Sequence, residues 1–525
     1  MKKYISIALS ALLALSAFAW SGCKDGNKKG TNGTTDNTIA YRSEEKSDYM
    51  NSIYLTDYVS ALNEEETLAF AAEGKDRQTS AEQAIALSSY YSTKINGENV
   101  YTYMIVAAET NPHSVVFMDV SADRFEGGKT LDVEITVNFD IEKAVVLPEK
   151  LGITPEVSNQ TIRFSVGGYG SYTVVVDDVT NPDKAYTLFV REPEKVEVPY
   201  GYTLVEYKPG LHFVDEITLK SNTVLYLHAG AFLVAKPKME GEGQGSFIGA
   251  ANVENIKIVG HGVVDMSQMG WHAGTGLAVM NGKNIEVDGI TLLNASTWTM
   301  YYNNCENLTV KNCIIFGYRQ NSDGYAICSS RNVKVLDCFA RSGDDLFEVK
   351  SYTGATSENI LFENCVAWPD NCRGFGIIQE TFSDIKNVTY RNCSLLYQLN
   401  DWAEHMAAFV ITAGECGNVT DLLFENCDLF YSKVFAIRFS IGENSETMGI
   451  KGFNNKITGV TFRNCDFKMP ASGRGILKFR NATTDANGIS SVLFENVTFC
   501  GEKLTDISTL NPVYEGEAPQ DIQIK

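Results

Sequence analysis

The chain has 525 residues, 44% of them hydrophobic and 21% charged, which describes a folded protein rather than a disordered one. Its formal net charge of −21 argues against a nucleic-acid partner, because gripping a phosphate backbone needs a basic face. It also weighs against polyanionic ligands, while neutral small molecules and glycans stay open.

Residues 1–22 read as an export signal. Lys2 and Lys3 form a positive start, and Ile5 to Ala19 is an apolar run too short to span a bilayer comfortably. The run ends in "AWSGC", which resembles the lipobox of bacterial lipoproteins, with Trp20 where an aliphatic residue is usual and Cys23 as the lipidated residue. The polar stretch of residues 23–46 suits a flexible tether. A protein exported to the bacterial cell envelope and held by a lipid anchor is the expectation.

Residues 47–199 carry short alternating runs such as "LDVEITVNF", "TIRFSVGG" and "AYTLFVREP", separated by Gly, Pro, Asn and Asp clusters. That pattern predicts an antiparallel β-sandwich with a packing or carbohydrate-binding role. An acidic passage from Asn63 to Leu87 reads as more helical.

From residue 200 to residue 525 the rhythm changes. Runs beginning at Asn255, Asn284, Asn307, Asn332, Asn359 and Asn387 start 29, 23, 25, 27 and 28 residues apart, with degenerate copies after them. A repeat of that length built from β-branched runs predicts a solenoid of stacked coils, a right-handed parallel β-helix, making the whole chain all-β. Asn312, Asn364, Asn392, Asn426 and Asn464 recur at one coil position, where asparagine tolerates a left-handed turn and stacked amides share hydrogen bonds. Cys313, Cys338, Cys365, Cys393, Cys427 and Cys465 follow at the next position. Equivalent positions in successive coils lie ~4.8 Å apart, wider than the usual disulfide Cβ separation. A ladder of free thiols is therefore expected. The spacings lack the paired pattern of a zinc site, and neither a metal nor a cofactor is expected.

Aligning neighbouring coils on their apolar residues superposes "DGYAICSS" from Asp323, "DLFEVKSY" from Asp345 and "RGFGIIQE" from Arg373 without gaps. Asp323 then stacks on Asp345, Arg373 stacks beyond it, and Asp344 stands alongside. Like charges so close cannot all stay ionised cheaply, so at least one carboxyl should hold a proton. An acid beside an ionised base is what glycoside hydrolysis requires.

Asn321-Ser322-Asp323 and Gly343-Asp344-Asp345 resemble the Asn-Thr-Asp and Gly-Asp-Asp motifs of glycoside hydrolase family 28, the polygalacturonases. The resemblance implies an inverting hydrolase with Asp344 as general acid and Asp323 and Asp345 holding and deprotonating the attacking water. Two departures bear on the substrate. Cys372-Arg373-Gly374 stands where the family has Gly-His-Gly. Val410-Ile411-Thr412 stands where it has Arg-Ile-Lys, a pair of cations resembling a clamp for the galacturonate carboxylate. Gly260-His261-Gly262 lies in an early coil and reads as a turn.

A looser likeness to the family 49 dextranases, which also place a β-sandwich before a β-helix, fits those gaps and points to a neutral glucan or galactoside. Arg373, Lys350, Gln379, Glu380 and Asn321 are candidates for holding the sugar, and Lys350, Gln379 and Glu380 are expected to continue the coil rows. Trp402 and His405, in the insertion "YQLNDWAEHMAA", are candidates for a cleft wall. Trp271, His272 and Arg438 are weaker candidates, with packing as the alternative. The expected partner is a polysaccharide or oligosaccharide, and a monomer is expected. A polysaccharide lyase with Arg373 as base, or a calcium-dependent glycan-binding protein, would account for some of the same residues; turnover that survives chelation separates them.

Overall fold

The computed structural model describes residues 85–525, apart from 107–111, 181, 237, 239–244, 353, 400–404, 444–453, 469–475, 484–487 and 520. The expected export signal and tether, with Cys23, as well as Trp402 and most of the passage read as helical, lie outside the described residues. The described end of that passage, Ile85–Leu87, is a strand.

Residues 85 to 191 form two facing sheets of six and five strands among the described residues. Period-two burial builds them: Leu131–Val137 buries Leu131, Val133, Ile135 and Val137 and turns the residues between outward. The expected all-antiparallel pairing needs one correction, because Tyr186–Arg191 runs parallel to Pro112–Asp119. The connection between those strands visits both sheets, giving Leu131–Val137 to the opposite one and Ala144–Leu147 and Gly170–Val176 to the same one.

From Thr203 onward the coils lay their strands in three sheets of twelve, twelve and eleven among the described residues, all parallel except the last of the second sheet, Glu502–Lys503, which turns back antiparallel on Thr498–Phe499. This is the right-handed parallel β-helix that the repeat predicted. Its interior is a continuous column of apolar rows, including the stacked rings of Tyr325, Phe347, Phe375 and Phe409.

The asparagines set the corners. Asn312, Asn364, Asn392, Asn426 and Asn464 all adopt φ between 52° and 56°. That left-handed conformation costs most other residues roughly 1–2 kcal/mol. Their amides form a ladder: Asn426 donates to Asn392 at 3.0 Å and Asn464 to Asn426 at 3.2 Å. A second ladder joins Asn222, Asn255, Asn284, Asn307, Asn332, Asn359 and Asn387. Every described cysteine is a free thiol, and the buried ladder bonds backbone carbonyls, as Cys427 does to Tyr390 O at 3.4 Å.

The sandwich is docked on the outer face of the second helix sheet. Tyr103, Val115, Phe117 and Phe189 share one apolar cluster with Phe232, Phe316, Phe339 and Trp368. Polar contacts fix the register of that packing. His261 is buried in the turn at Gly260-His261-Gly262, and its Nδ1 lies 2.8 Å from Asp119 Oδ2 of the sandwich. Arg341 Nη1 donates to His113 Nδ1 at 2.8 Å. An arginine only donates, so the His113 proton sits on Nε2, 2.7 Å from Thr187 Oγ1. Burial, then the Arg341 charge, holds His113 neutral, its pKa pushed well down.

Candidate active site

The third helix sheet carries the acids. Its register pairs Tyr325 with Phe347 and Phe347 with Phe375, which sets Asp323, Asp345 and Arg373 in one row just before those strands. Backbone bonds continue the row: Gly324 N donates to Asp345 O at 2.7 Å and Leu346 N to Arg373 O at 3.0 Å. Gly343 precedes the acids because nothing larger fits. A Cβ there would sit 2.5 Å from Arg319 O and 2.9 Å from Tyr318 O.

All three aspartates are nearly enclosed, with exposures of 4% for Asp323, 8% for Asp344 and 1% for Asp345. Their hydrogen bonds differ in a way that assigns them different environments. Asp344 accepts from Asn321 N at 2.8 Å and from Asp345 N at 3.0 Å. Asp345 Oδ1 accepts from Arg373 N at 2.9 Å and Arg373 Nε at 2.8 Å. Asp323 Oδ1 is buried with no hydrogen-bond donor. Burial raises the Asp345 carboxyl to about 6, with Arg373 pulling it down and Asp344 pushing it up. Burial first, then the neighbouring Asp344 and Glu348 carboxylates, pushes Asp323 well above its ordinary value. Asp323 and Asp345 each place an oxygen within 4.8 Å of the other.

Asn321, in a left-handed turn at φ 62°, presents its amide to Asp344 and its Oδ1 to His272 Nε2 at 3.0 Å. Trp271 stacks on His272 and donates Nε1 to Gln320 O at 2.9 Å. These two residues wall the site from an earlier coil. His405 is half-buried; desolvation and then the Arg373 charge push its imidazole down to about 4.

The gapless alignment fails past Ile377. Val349 pairs with Ile377, but Ser351 pairs with Thr381, so a bulge inserts residues opposite Lys350. Gln379 takes φ 60° at the bulge. Gln379 and Glu380 therefore do not continue the rows. The bulge instead brings Glu380 Oε2 to 2.9 Å from Lys350 Nζ.

One member of the cluster escaped the sequence reading. Glu348 points outward from the strand Phe347–Ser351, between Ala326 and Gly376 of the adjoining coils. It is fully buried, with Lys350 Nζ 3.0 Å from its Oε2. Strand alternation alone sends it to the same face as Lys350, which is the signal that could have found it. The same outward row continues through Val410 to Arg438 and Lys478. Arg438 lies 2.7 Å from Glu443, and Lys478 lies 2.6 Å from Glu515.

Architecture and cluster together define a parallel β-helix with a carboxyl-rich site on one sheet. Residues 192–433 match the family model described as Glycosyl hydrolases family 28, and the resemblance read from the motifs holds over that span. A probable rhamnogalacturonase B of Aspergillus oryzae is 29% identical over 197 residues, covering 37% of this chain and 34% of the relative. An exopolygalacturonase of Arabidopsis thaliana is 27% identical over 126 residues, covering 23% of this chain and 29% of the relative. The chain thus spans about a third of the length of these curated relatives. Among solved structures, Dex49A from Penicillium minioluteum superposes with a TM-score of 0.57 at 14% identity, covering 86% of this chain and 96% of that one. That likeness takes in both the sandwich and the β-helix.

Proposed function

We propose that the protein is an inverting glycoside hydrolase with Asp344 as general acid and Asp323 and Asp345 holding the attacking water. The observation that carries the reading is the enclosed row of Asp323, Asp345 and Arg373 with Asp344 beside it, inside the span that matches family 28. Asp344 gives a proton to the leaving oxygen as the glycosidic bond breaks. The water between Asp323 and Asp345 attacks the anomeric carbon from the other side and gives its proton to one of them. Arg373 fixes Asp345 from two directions and keeps it ionisable despite burial.

The substrate we infer is a neutral glycan. Val410 and Thr412 stand where the family's cations would be, and Arg438 and Lys478 in the following coils each already face a glutamate. A second reading, hydrolysis of an acidic pectic chain, draws on the names of the curated relatives. Reducing-end release from dextran, pullulan, α-galactoside and polygalacturonate, with EDTA present throughout, separates the two. Turnover of polygalacturonate alone would overturn the neutral-glycan reading, and release by the Asp344→Asn variant at the rate of the unmutated protein would overturn the acid assignment. We also propose that the protein is exported and lipid-anchored through Cys23; loss of membrane partitioning in Cys23→Ala checks it.

A further inference from the structure

The site holds more buried carboxyl oxygen than its donors can satisfy. Glu348 and Asp323 are 0% and 4% exposed, and with Asp345 they each place an oxygen within 4.8 Å of the others. Two of their oxygens, Asp323 Oδ1 and Glu348 Oε1, are buried with no hydrogen-bond donor. The two cations nearby serve more carboxylates than they can neutralise. Arg373 gives its backbone N–H and Nε to Asp345. Lys350 Nζ is shared, donating to Glu380 at 2.9 Å and pairing with Glu348 Oε2 at 3.0 Å. Trp298 closes over the ammonium, its ring centre 5.0 Å away.

Two buried carboxylates facing one ammonium that Glu380 also claims would leave charge uncompensated and acceptors empty together, both of which are costly. A single proton between them removes both problems, since it cancels one charge and supplies the missing donor. We propose that Asp323 and Glu348 form a proton-sharing carboxyl pair, holding one proton between them at neutral pH, and that Glu348 is thereby a positioning residue that presents Asp323 to the water in an accepting state. The O–H of one carboxyl donates to a free oxygen of the other, and the pair carries one negative charge.

The groups facing Glu348 are consistent with this. They are Tyr301, Cys328, Asp345, Lys350, Tyr352, Glu380 and, from the interior, Tyr390. Only Lys350 among them is cationic. Burial, with Lys350 opposing and Asp345 and Glu380 assisting, lifts Glu348 to about 8.

The role assigned to Asp323 rests on the hydrolase reading, but the shared proton does not, so its test avoids turnover. Protons released on urea unfolding at pH 7 are counted with an indicator dye for the unmutated protein, Glu348→Gln, Asp323→Asn and the double variant. In the unfolded chain both acids are ionised, so the unmutated protein should release about one proton more than any variant. The double variant should match each single one, because one proton is lost in all three. Equal release by Glu348→Gln and the unmutated protein overturns the proposal. So does a double variant that loses two protons, which would mark two separately protonated acids. If a variant fails to fold, infrared spectra of Asp344→Asn, which lacks the proton of the general acid, decide: a buried protonated-carboxyl stretch at pH 7 that fades only in alkali supports the pair, and its absence at pH 7 refutes it.

Discussion

Arg341 ties the sandwich to both loops of the site, so replacing it with methionine tests the packing argument directly. Its guanidinium is 1% exposed and grips Asp370, which is 9% exposed, with Nε at 3.1 and 3.2 Å and Nη2 at 3.0 Å. It also donates to His113 and lies 4.1 Å above the Trp368 ring. Methionine fills much of the stem volume but leaves Asp370 without this cation and His113 Nδ1 without its donor. Breaking one side of a buried ion pair costs about 3–5 kcal/mol, a large share of the ~5–15 kcal/mol that holds a domain folded. The lost His113 bond falls within that range rather than adding to it, because the groups share one network. The assay is equilibrium urea unfolding of the unmutated protein, Arg341→Met, Asp370→Leu and the double variant, read as midpoint shifts of the first transition. The double variant should recover most of the loss, since it removes both charges. A single variant that costs under about 1 kcal/mol, or a double variant that costs the sum of the singles, refutes the reasoning. Arg341 and Asp370 also bracket Gly343–Asp345 and Cys372–Arg373, so Arg341→Met should lower activity although no catalytic side chain is touched.

Other outcomes follow from the same contacts. Asp344→Asn should lose about 10²–10⁴-fold in turnover with an unchanged melting temperature, measured by reducing-end release. Asp345, raised to about 6 in the folded protein, must be ionised to act as a base, so activity should rise with pH through about 6. Its raised value also gives the folded state a stabilisation that is full below the ordinary 3.8 and lost as pH climbs through about 6. Arg373→Gln removes the cation that opposes burial and should move the rise in activity to higher pH. His113 works the other way: its depressed pKa makes stability fall as pH drops below 6.5, the ordinary histidine value, and His113→Asn should flatten that limb of a pH–melting curve. Asn426→Ala should cost about 1–2 kcal/mol through its left-handed backbone, seen by urea unfolding. Reducing agent should leave the melting temperature unchanged, because the described cysteines are free thiols.

What was legible in the sequence was whatever repeats. Asparagine and cysteine at fixed coil positions exposed the period, and the period exposed the row of Asp323, Asp345 and Arg373 by simple register. The features missed are those that break the repeat or join distant segments. The bulge at Gln379 adds residues to one coil, and nothing local in "GIIQET" separates it from a regular strand. Glu348 was masked by its neighbours, since one more acid beside Asp344 and Asp345 looks like surface until the fold encloses it. The contacts of His113 with Arg341 and of Asp119 with His261 span 228 and 142 residues, and no periodicity links a sandwich strand to a helix corner. Trp271 and His272, weighed as sugar-stacking residues with packing as the alternative, bond Gln320 and Asn321, a link between coils that no repeat signals.

The charges on and beside this sheet bear most directly on the substrate. Lys350 faces Glu348 and Glu380, Arg373 faces Asp345, Arg438 faces Glu443, and Lys478 faces Glu515. A cation already paired with a carboxylate can still donate to a hydroxyl, but it gains little from a second carboxylate, which must displace the first and bring its own desolvation cost. A neutral oligosaccharide should therefore bind with an affinity nearly independent of salt, because no net charge meets it. Glu443→Gln makes the contrast measurable. Freeing Arg438, which is 3% exposed, should create affinity for galacturonate oligomers that weakens as ionic strength rises, leaving neutral-glycan binding within about twofold. Calorimetric titration at low and high salt reads both. Tight, salt-sensitive galacturonate binding by the unmutated protein would show that the paired cations are available after all, and the neutral-substrate argument would fail with them.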